Sequence, residues 1–358
     1  MVRPTYVEID LSAIASNVAA FTRLIAPSQV CTVVKADAYG HGDVPVASTA
    51  LEAGATMLAV ALVEEGIRLR EAGIEAPILV LSEPGPGSAA DIVGWDLQPT
   101  LYSQSFAEEL ADTGARLAVH VMVDTGMHRV GARPADLPGL IETVERSPSL
   151  TLASIWTHFP VADEDFDYTR AQIERFDRLV EPFQAPRLHM ANTAGAVLFP
   201  EARRDMCRVG LGTYGLHPCP ETVGRIDLRP AMRLVTHVSH VQRLAAGERP
   251  SYGRVRALAG ESTVVTAPVG YADGFTRALT AGAAVLIGGK RFPLAGNVTM
   301  DQIMVDVGDE DVGRGEEVVL LGHQGDQSIT ADDWARELGT ISYEVVCSIG
   351  PRVPRRYV

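Results

Sequence analysis

Basic charge is scarce in this chain. Its 358 residues carry 31 Lys and Arg against 45 Asp and Glu, a formal net charge of −14, and the sequence pI is about 5.1. A nucleic-acid binder usually gathers positive charge, so this balance argues against that class. Cysteine is scarce too: the four, Cys31, Cys207, Cys219 and Cys347, stand far apart and none has metal-ligand spacing. A chain of this length can bury full cores without disulfides, so free thiols and a reducing cytoplasm are expected. No apolar run is long enough to cross a bilayer. The opening Met-Val-Arg-Pro-Thr-Tyr-Val-Glu-Ile-Asp lacks the apolar core of a signal peptide. The expectation is a cytoplasmic chain of two domains, with neither membrane nor nucleic acid as a partner.

What is present is organised around one stretch, Val30-Cys-Thr-Val-Val-Lys-Ala-Asp-Ala-Tyr-Gly-His-Gly42. Its first five residues are apolar and β-branched, the pattern of a buried strand. Lys35 follows, then a turn with Tyr39, Gly40 and Gly42. A lysine closing a buried strand is costly unless something uses or pairs it. It either snorkels to the rim or is an amine held with a lowered pKa, ready to form a Schiff base.

Along the first two thirds, strand-like runs alternate with helical ones. The strand candidates are Cys31–Ala36, Ala55–Val60, Pro77–Ser82, Leu97–Ser103, Arg116–Asp124, Leu150–Phe159, Arg187–Asn192 and Met206–Tyr214. Val44–Ala53, Val63–Ala72 and Tyr168–Val180 read as helices between them. About eight βα units in roughly 200 residues predict a (β/α)8 TIM-type barrel. A doubly wound sheet would bring its phosphate loop after the first strand, which is not seen. Barrel active sites sit at the C-terminal strand ends; Lys35, Asp124, Arg129, His158, Asn192 and Thr193 end or follow such strands, and Arg208 lies on the eighth. The loops after the last two strands often hold phosphate, and here they carry an Asn-Thr pair with Gly210 and Gly212. An amine facing a phosphate cradle suggests a phosphorylated aldehyde cofactor, pyridoxal 5'-phosphate.

Two patterns are set aside. Gly210-Leu-Gly-Thr-Tyr-Gly215 matches G-x-G-x-x-G, but His217, Pro218, Cys219 and Pro220 prevent the helix a dinucleotide fold needs next. His237 and His240 have no carboxylate or cysteine at ligand spacing, so no metal is expected.

From about Arg225 the helices thin out. Ala231–Leu244, Ser262–Val269, Ala283–Ile287, Gln302–Val307 and Glu317–Leu321 read as strands, with turns at Gly247, Gly260, Gly288-Gly289 and Gly308. A helix over Thr330–Leu338, capped by Thr330, interrupts them. The fold expectation is therefore α/β: residues 1–225 a barrel and residues 226–358 a mainly β domain, with the strand-like residues 2–10 pairing with the latter. Tyr252 and Tyr271 stand beside glycines that present their rings.

The chain resembles the alanine racemase family along nearly its whole length. The motifs are Val-Val-Lys35-Ala-Asp-Ala-Tyr39-Gly-His-Gly, Val-Asp124-Thr-Gly-Met-His-Arg129-Val-Gly, Trp-Thr-His158-Phe and Ala-Asn192-Thr193-Ala. They continue with Cys-Arg208-Val-Gly210-Leu211-Gly-Thr-Tyr-Gly, Ser-Tyr252-Gly, Val-Gly-Tyr271-Ala-Asp-Gly, Thr-Met300-Asp301-Gln and Ile-Ser-Tyr343-Glu-Val. Each is modest alone; their order is specific. The resemblance implies a fold-type III pyridoxal-phosphate enzyme working as a head-to-tail homodimer with shared active sites. It implies that Lys35 holds the cofactor as an internal aldimine, that Tyr39, Thr193, Gly210, Leu211 and Tyr343 surround its phosphate, and that Asn192 also binds the cofactor. Arg208 would face the pyridine nitrogen with His158 beside it, and Arg129 would bind the substrate carboxylate near the Met300 backbone. Tyr252, Tyr271, Met300 and Asp301 would reach a second subunit's site. Lys35 and Tyr252 would be the two bases, one on each face of Cα, each acting as acid for the other direction. The implied activity interconverts L- and D-alanine and supplies D-alanine for peptidoglycan.

Three positions depart from the family. Met122 stands where many members carry a carbamylated lysine that orients the arginine matching Arg129. A bound chloride, another acid or a looser Arg129 is expected instead. His128 replaces a common glycine or asparagine, and Thr299 a frequent cysteine. All three touch substrate recognition, so a broad-specificity racemase for serine, lysine or similar amino acids is the alternative. A fold-type III decarboxylase would lack the Tyr252 constellation, and a cofactor-carrying regulatory protein would lack the β domain.

Overall fold

The computed structural model describes residues 3–358; residue 2, where the predicted N-terminal strand begins, lies outside them. The chain divides into two compact units. One comprises Ser12–Ala38 and Gly42–Arg229; the other comprises the residues up to Leu11, then Tyr39–His41 and Pro230–Val358.

In the second unit, β1 (Tyr6–Ile9) is hydrogen-bonded antiparallel to a later strand, Met232–His237, and parallel to Arg355–Tyr357. In the first unit, eight parallel strands follow: β2 (Gln29–Val33), β3 (Met57–Val60), β4 (Ile78–Val80), β5 (Gln98–Leu101), β6 (Leu117–Met122), β7 (Leu150–Trp156), β8 (Leu188–His189) and β9 (Met206–Val209). Their order, β8-β7-β6-β5-β4-β3-β2-β9, is that of a barrel unrolled at one seam. Backbone bonds close that seam: Asp205 N donates to the Leu188 carbonyl at 3.1 Å and Arg208 N to the Ala191 carbonyl at 2.9 Å. This is the expected (β/α)8 barrel.

The strands are short apolar runs because both faces are covered. Every residue of β3 and β4 is buried. The helices between them carry a single apolar stripe. Leu137–Arg146 buries Leu137, Leu140, Ile141 and Val144, the spacing of one helical face. Phe166–Val180 starts where the Asp165 carboxylate accepts from Tyr168 N at 2.9 Å, a side-chain cap.

The second unit is mainly β, as expected, and adds β10 (Met232–His237), β11 (His240–Leu244), β12 (Ser262–Ala267), β13 (Ala284–Ile287), β14 (Lys290–Pro293), β15 (Ile303–Gly308), β16 (Glu317–Gln324), β17 (Gln327–Ile329) and β18 (Arg355–Tyr357). One sheet runs β14-β13-β16-β10-β1-β18, with β17 on β16; the other runs β11-β12-β15. The single strand read over Ala231–Leu244 is in fact two strands in two different sheets, parted at Val238-Ser239. The helix Ala331–Leu338 is capped by Thr330, whose hydroxyl accepts from Asp333 N at 3.0 Å while the Asp333 carboxylate accepts from Thr330 N at 2.9 Å.

Seven of the eight barrel strands end sooner than the sequence suggests, and the difference bears on the site at the last and the first. The last stops at Val209, so Gly210 and Gly212 belong to the turn and 3-10 helix that follow it rather than to the strand. The first stops at Val33. After it, Lys35–Gly40 forms a helical turn whose residues Ala36, Asp37, Ala38 and Tyr39 have φ of 52°, 53°, 52° and 54°. Four consecutive L-residues in the left-handed region make the expected turn a left-handed helical one, a hand the sequence does not show. Each residue so placed costs roughly 1–2 kcal/mol.

Candidate active site

Lys35 stands in the barrel unit where β2 gives way to the left-handed turn. The turn is held from outside by Glu65. One of its carboxylate oxygens accepts from Ala36 N at 2.6 Å, and the other from Ala61 N at 2.8 Å and Leu62 N at 3.1 Å. Ala38 N returns to the Val34 carbonyl and Gly42 N to the Asp37 carbonyl, each at 2.9 Å. Nothing in the sequence pattern singled out Glu65.

Arg208 lies on β9, next to β2. It is 2 % exposed, and no carboxylate among the described residues is hydrogen-bonded to it. Its guanidinium donates instead to neutral acceptors: His189 Nδ1 at 2.7 Å, His158 Nδ1 at 3.0 Å, the Thr157 carbonyl at 2.8 Å and the Met190 carbonyl at 3.1 Å. It also lies 4.4 Å from the centroid of the Trp156 ring. Burial pulls Arg208 down to about 10, so it keeps its charge at neutral pH. Burial also drives both histidines well below the ordinary imidazole range, and the charge of Arg208 adds to the effect. His158 feels Arg129 and Lys35 as well, which puts all these groups in one electrostatic neighbourhood. The same burial pushes the Cys31 and Cys207 thiols up to about 12, so they stay neutral.

The segments that follow β8 and β9 carry a set of backbone donors. Asn192 caps the short helix Thr193–Leu198, its side-chain oxygen accepting from Gly195 N at 2.9 Å. The Thr193 hydroxyl accepts from Gly210 N at 3.2 Å and Gly212 N at 3.4 Å, tying that helix to the 3-10 helix Leu211–Tyr214. The first N–H groups of a helix have no internal partner and suit an anion. A Cβ at Gly212 would run into the buried Phe21 ring and lie 2.9 Å from Thr193 Cγ2, so the approach requires glycine.

Arg129 is exposed, and within the chain it meets no acid at hydrogen-bond distance among the described residues. The nearby carboxylate, Asp124, is committed to His128, 2.8 Å from its Nδ1. Burial raises the Asp124 carboxyl, but hydrogen bonds from Gly126 N, His128 N and the His128 ring outweigh this and hold it below the usual range. Met122 is 1 % exposed and presents a thioether where an anion would be needed.

The remaining candidates are in the second unit. Tyr39 and Tyr343 face each other with ring centroids 6.0 Å apart. Burial first, then Tyr343 and Cys347, push the Tyr39 hydroxyl up, so it remains a donor. Arg355 fixes this segment: its Nε donates to the Gly40 carbonyl at 3.0 Å, and its other nitrogens to the carbonyls of Ile349, Gly350 and Val353. Tyr252 is 73 % exposed, on a loop where Ser251, Gly253 and Arg254 have φ of 72°, 73° and 47°. Asn297 clamps that loop, donating to the Tyr252 carbonyl at 2.7 Å and accepting from the Ser251 hydroxyl at 2.6 Å. Tyr271 begins a 3-10 turn ending in the buried Asp273, which is paired with Arg3. Tyr271 N bonds the Thr299 carbonyl and Ala272 N the Met300 carbonyl. Asp301 is bound to Arg352 at 2.7 Å. Tyr252, Val255, Tyr271 and Met300 are all exposed on this unit.

The residues that sequence reasoning missed are Glu65, His189, Ser154 and His120. The last three are polar side chains inside apolar strands, and that interruption is the signal that could have found them.

Comparison with known proteins agrees with the motif reading. Residues 9–218 match the family described as alanine racemase, N-terminal domain, and residues 231–357 match the alanine racemase C-terminal domain. An alanine racemase of Symbiobacterium thermophilum is 44% identical over 99% of this chain and 97% of its own, and one of Nostoc is 42% identical over 98% and 95%. The crystal structure of alanine racemase from E. faecalis superposes with a TM-score of 0.95 at 37% identity, covering 99% of this chain and 98% of that one. A histidine racemase from Leuconostoc mesenteroides reaches a TM-score of 0.91 at 31% identity, covering 100% and 98%. With both family domains matched in order and relatives aligned end to end, this chain belongs to the alanine racemase family.

Proposed function

We propose that the chain interconverts L- and D-alanine with pyridoxal 5'-phosphate, and so supplies D-alanine for peptidoglycan. The observation that carries the reading is the environment of Arg208, a buried cation whose partners are all neutral acceptors, on the strand beside the one that leads to Lys35. Such a group is a poor proton donor to a ring nitrogen. The donor set fits the cofactor: an amine for its aldehyde, and for its phosphate the backbone N–H groups of Thr193, Leu211 and Gly210, the last exchanging the Thr193 hydroxyl oxygen for a phosphate oxygen. Asn192, Tyr39 and Tyr343 complete the holding set in this reading. When bound, the cofactor supplies the electron sink that makes the substrate Cα proton removable.

The residues of the chain then divide the work. Arg129 and the Met300 backbone bind the substrate carboxylate, with the loosely held Arg129 leaving room for adjustment. Lys35 takes or returns the proton on one face of Cα. Tyr252, with Tyr271, Met300 and Asp301 around it, comes from a second copy of the chain and serves the other face. The exposed apolar surface at Tyr252, Val255, Tyr271 and Met300 supports a second copy covering it. No helix among the described residues is long and apolar enough to cross a membrane, which is compatible with a cytoplasmic place for the reaction.

The test is circular dichroism of L-alanine with the protein and cofactor. The signal should decay to zero and stop there, as racemisation requires. A panel of other L-amino acids, including serine, lysine and histidine, addresses the broad-specificity alternative, which the Leuconostoc histidine racemase supports. Release of carbon dioxide, or a signal that does not move with any amino acid, would overturn the proposal. Lys35→Ala should also lose the visible absorption that the cofactor gives the wild-type protein.

A further inference from the structure

Behind Arg208 runs a line of buried polar groups with no role in the chemistry described so far. His189 accepts from Arg208 through Nδ1, and its Nε2 lies 2.9 Å from Ser154 Oγ. Ser154 Oγ lies 2.6 Å from His120 Nδ1, and His120 Nε2 lies 2.9 Å from Gln98 Oε1. The line takes one residue from each of β5, β6, β7, β8 and β9. His120, Ser154 and His189 are at most 1 % exposed.

The proton order along this line has one solution. A guanidinium has donors and no acceptor, so His189 Nδ1 must be bare and its proton must sit on Nε2. That N–H points at Ser154, whose hydroxyl then donates onward to His120 Nδ1. His120 carries its proton on Nε2 and gives it to the Gln98 carbonyl oxygen. The strand register is adapted to this. Val119 pairs with Leu152, yet His120 pairs with Ser154, so a bulge at Ala153 brings the hydroxyl opposite the imidazole. Without that shift Ala153 would pair with His120 and a methyl group would stand there. Bulges that re-aim a side chain beside an active site are a recurrent device.

We propose that Gln98, His120 and Ser154 are positioning residues that give the His189 Nε2–H its acceptor, so fixing the ring against which Arg208 is held in one orientation toward the cofactor ring. The role in catalysis rests on the proposed function; the tautomer assignment does not. With the line intact, Arg208 cannot turn without stranding His189. With it broken, His189 Nε2–H loses its acceptor in a dry interior, and the ring is free to flip.

The experiment uses full-length protein labelled with 15N at histidine, with and without pyridoxal phosphate. NMR should show His120 and His189 each with a bare Nδ1 and a protonated Nε2, unchanged from pH 8 to pH 5. Ser154→Ala should shift and broaden the His189 Nε2 signal, whose N–H loses its acceptor, and lower kcat about tenfold with KM for alanine little changed, since one lost bond of ordinary strength is about a factor of ten. Ser154→Thr, which keeps the hydroxyl, should restore both. If Ser154→Ala does not fold, Gln98→Met at the half-buried end should loosen His120 in the same spectra. Protonated Nδ1 on either histidine, or unchanged spectra and kcat in Ser154→Ala and Gln98→Met, would overturn the proposal. The assigned tautomers without racemase activity would sink the function and spare the arrangement.

Discussion

Replacing Ala36 by glycine should stabilise this protein, against the usual rule for a helical alanine. Ala36 is exposed, and its φ of 52° places its Cβ against the following carbonyl. Removing that Cβ relieves roughly 1–2 kcal/mol of steric cost. Glycine gives back about 0.5–1 kcal/mol in unfolded-chain entropy. The net expectation is a gain of about 0.5–1 kcal/mol, because Glu65 still receives the Ala36 N–H, which glycine retains. Ala36→Val should go the other way by at least 1 kcal/mol, since a β-branched residue tolerates φ > 0 worst. The internal control is Ala171, exposed in the right-handed helix Phe166–Val180, where glycine should cost about 1 kcal/mol. Calorimetric Tm values for the three variants decide the matter. Equal, negative shifts for Ala36→Gly and Ala171→Gly would refute the claim that the turn is strained.

Other outcomes follow from the same geometry. His120 and His189 are held neutral in the folded protein, His120 at about 3, whereas unfolded they would protonate near 6.5. His158 is held neutral in the same way, so the contribution of the three is fully present above about pH 6.5 and lost as pH falls below it, by about 4 kcal/mol per pH unit; urea unfolding from pH 8 to pH 5 should show this, and His120→Gln should remove about a third of the slope. Gly212→Ala should cost about 1–3 kcal/mol by pushing the Phe21 ring and should weaken cofactor binding in a titration, because Thr193 moves with it. Lys35→Ala and Tyr252→Ala should each be inactive, yet mixing and reassembling them should restore part of the activity through hybrid pairs; no recovery from well-folded mixtures would count against a shared site.

The barrel was legible because strands covered on both faces must be continuous apolar runs, and Ala55–Val60 or Pro77–Ser82 can be little else. Much of the candidate site was legible for a related reason: Lys35, His158 and Arg208 are polar residues at the ends of such runs. The left-handed turn was hidden, since Ala36, Asp37, Ala38 and Tyr39 include none of the glycine that normally marks positive φ. The line from Gln98 to His189 was hidden because it depends on which residues stand opposite each other across five strands. That register, bulge included, is fixed only when the barrel closes. In the second unit β14, β17 and β18 were missed, being only three or four residues long.

The Tyr252 loop has a consequence for how this chemistry can change over time. Its shape is written in the backbone and in the Asn297 clamp, and neither depends on the exposed aromatic ring. The residue at the tip is therefore free to vary while the scaffold pays nothing in folding. A lineage could trial new acids or bases there one substitution at a time, whereas a change at Lys35 or Arg208 would disturb a packed interior.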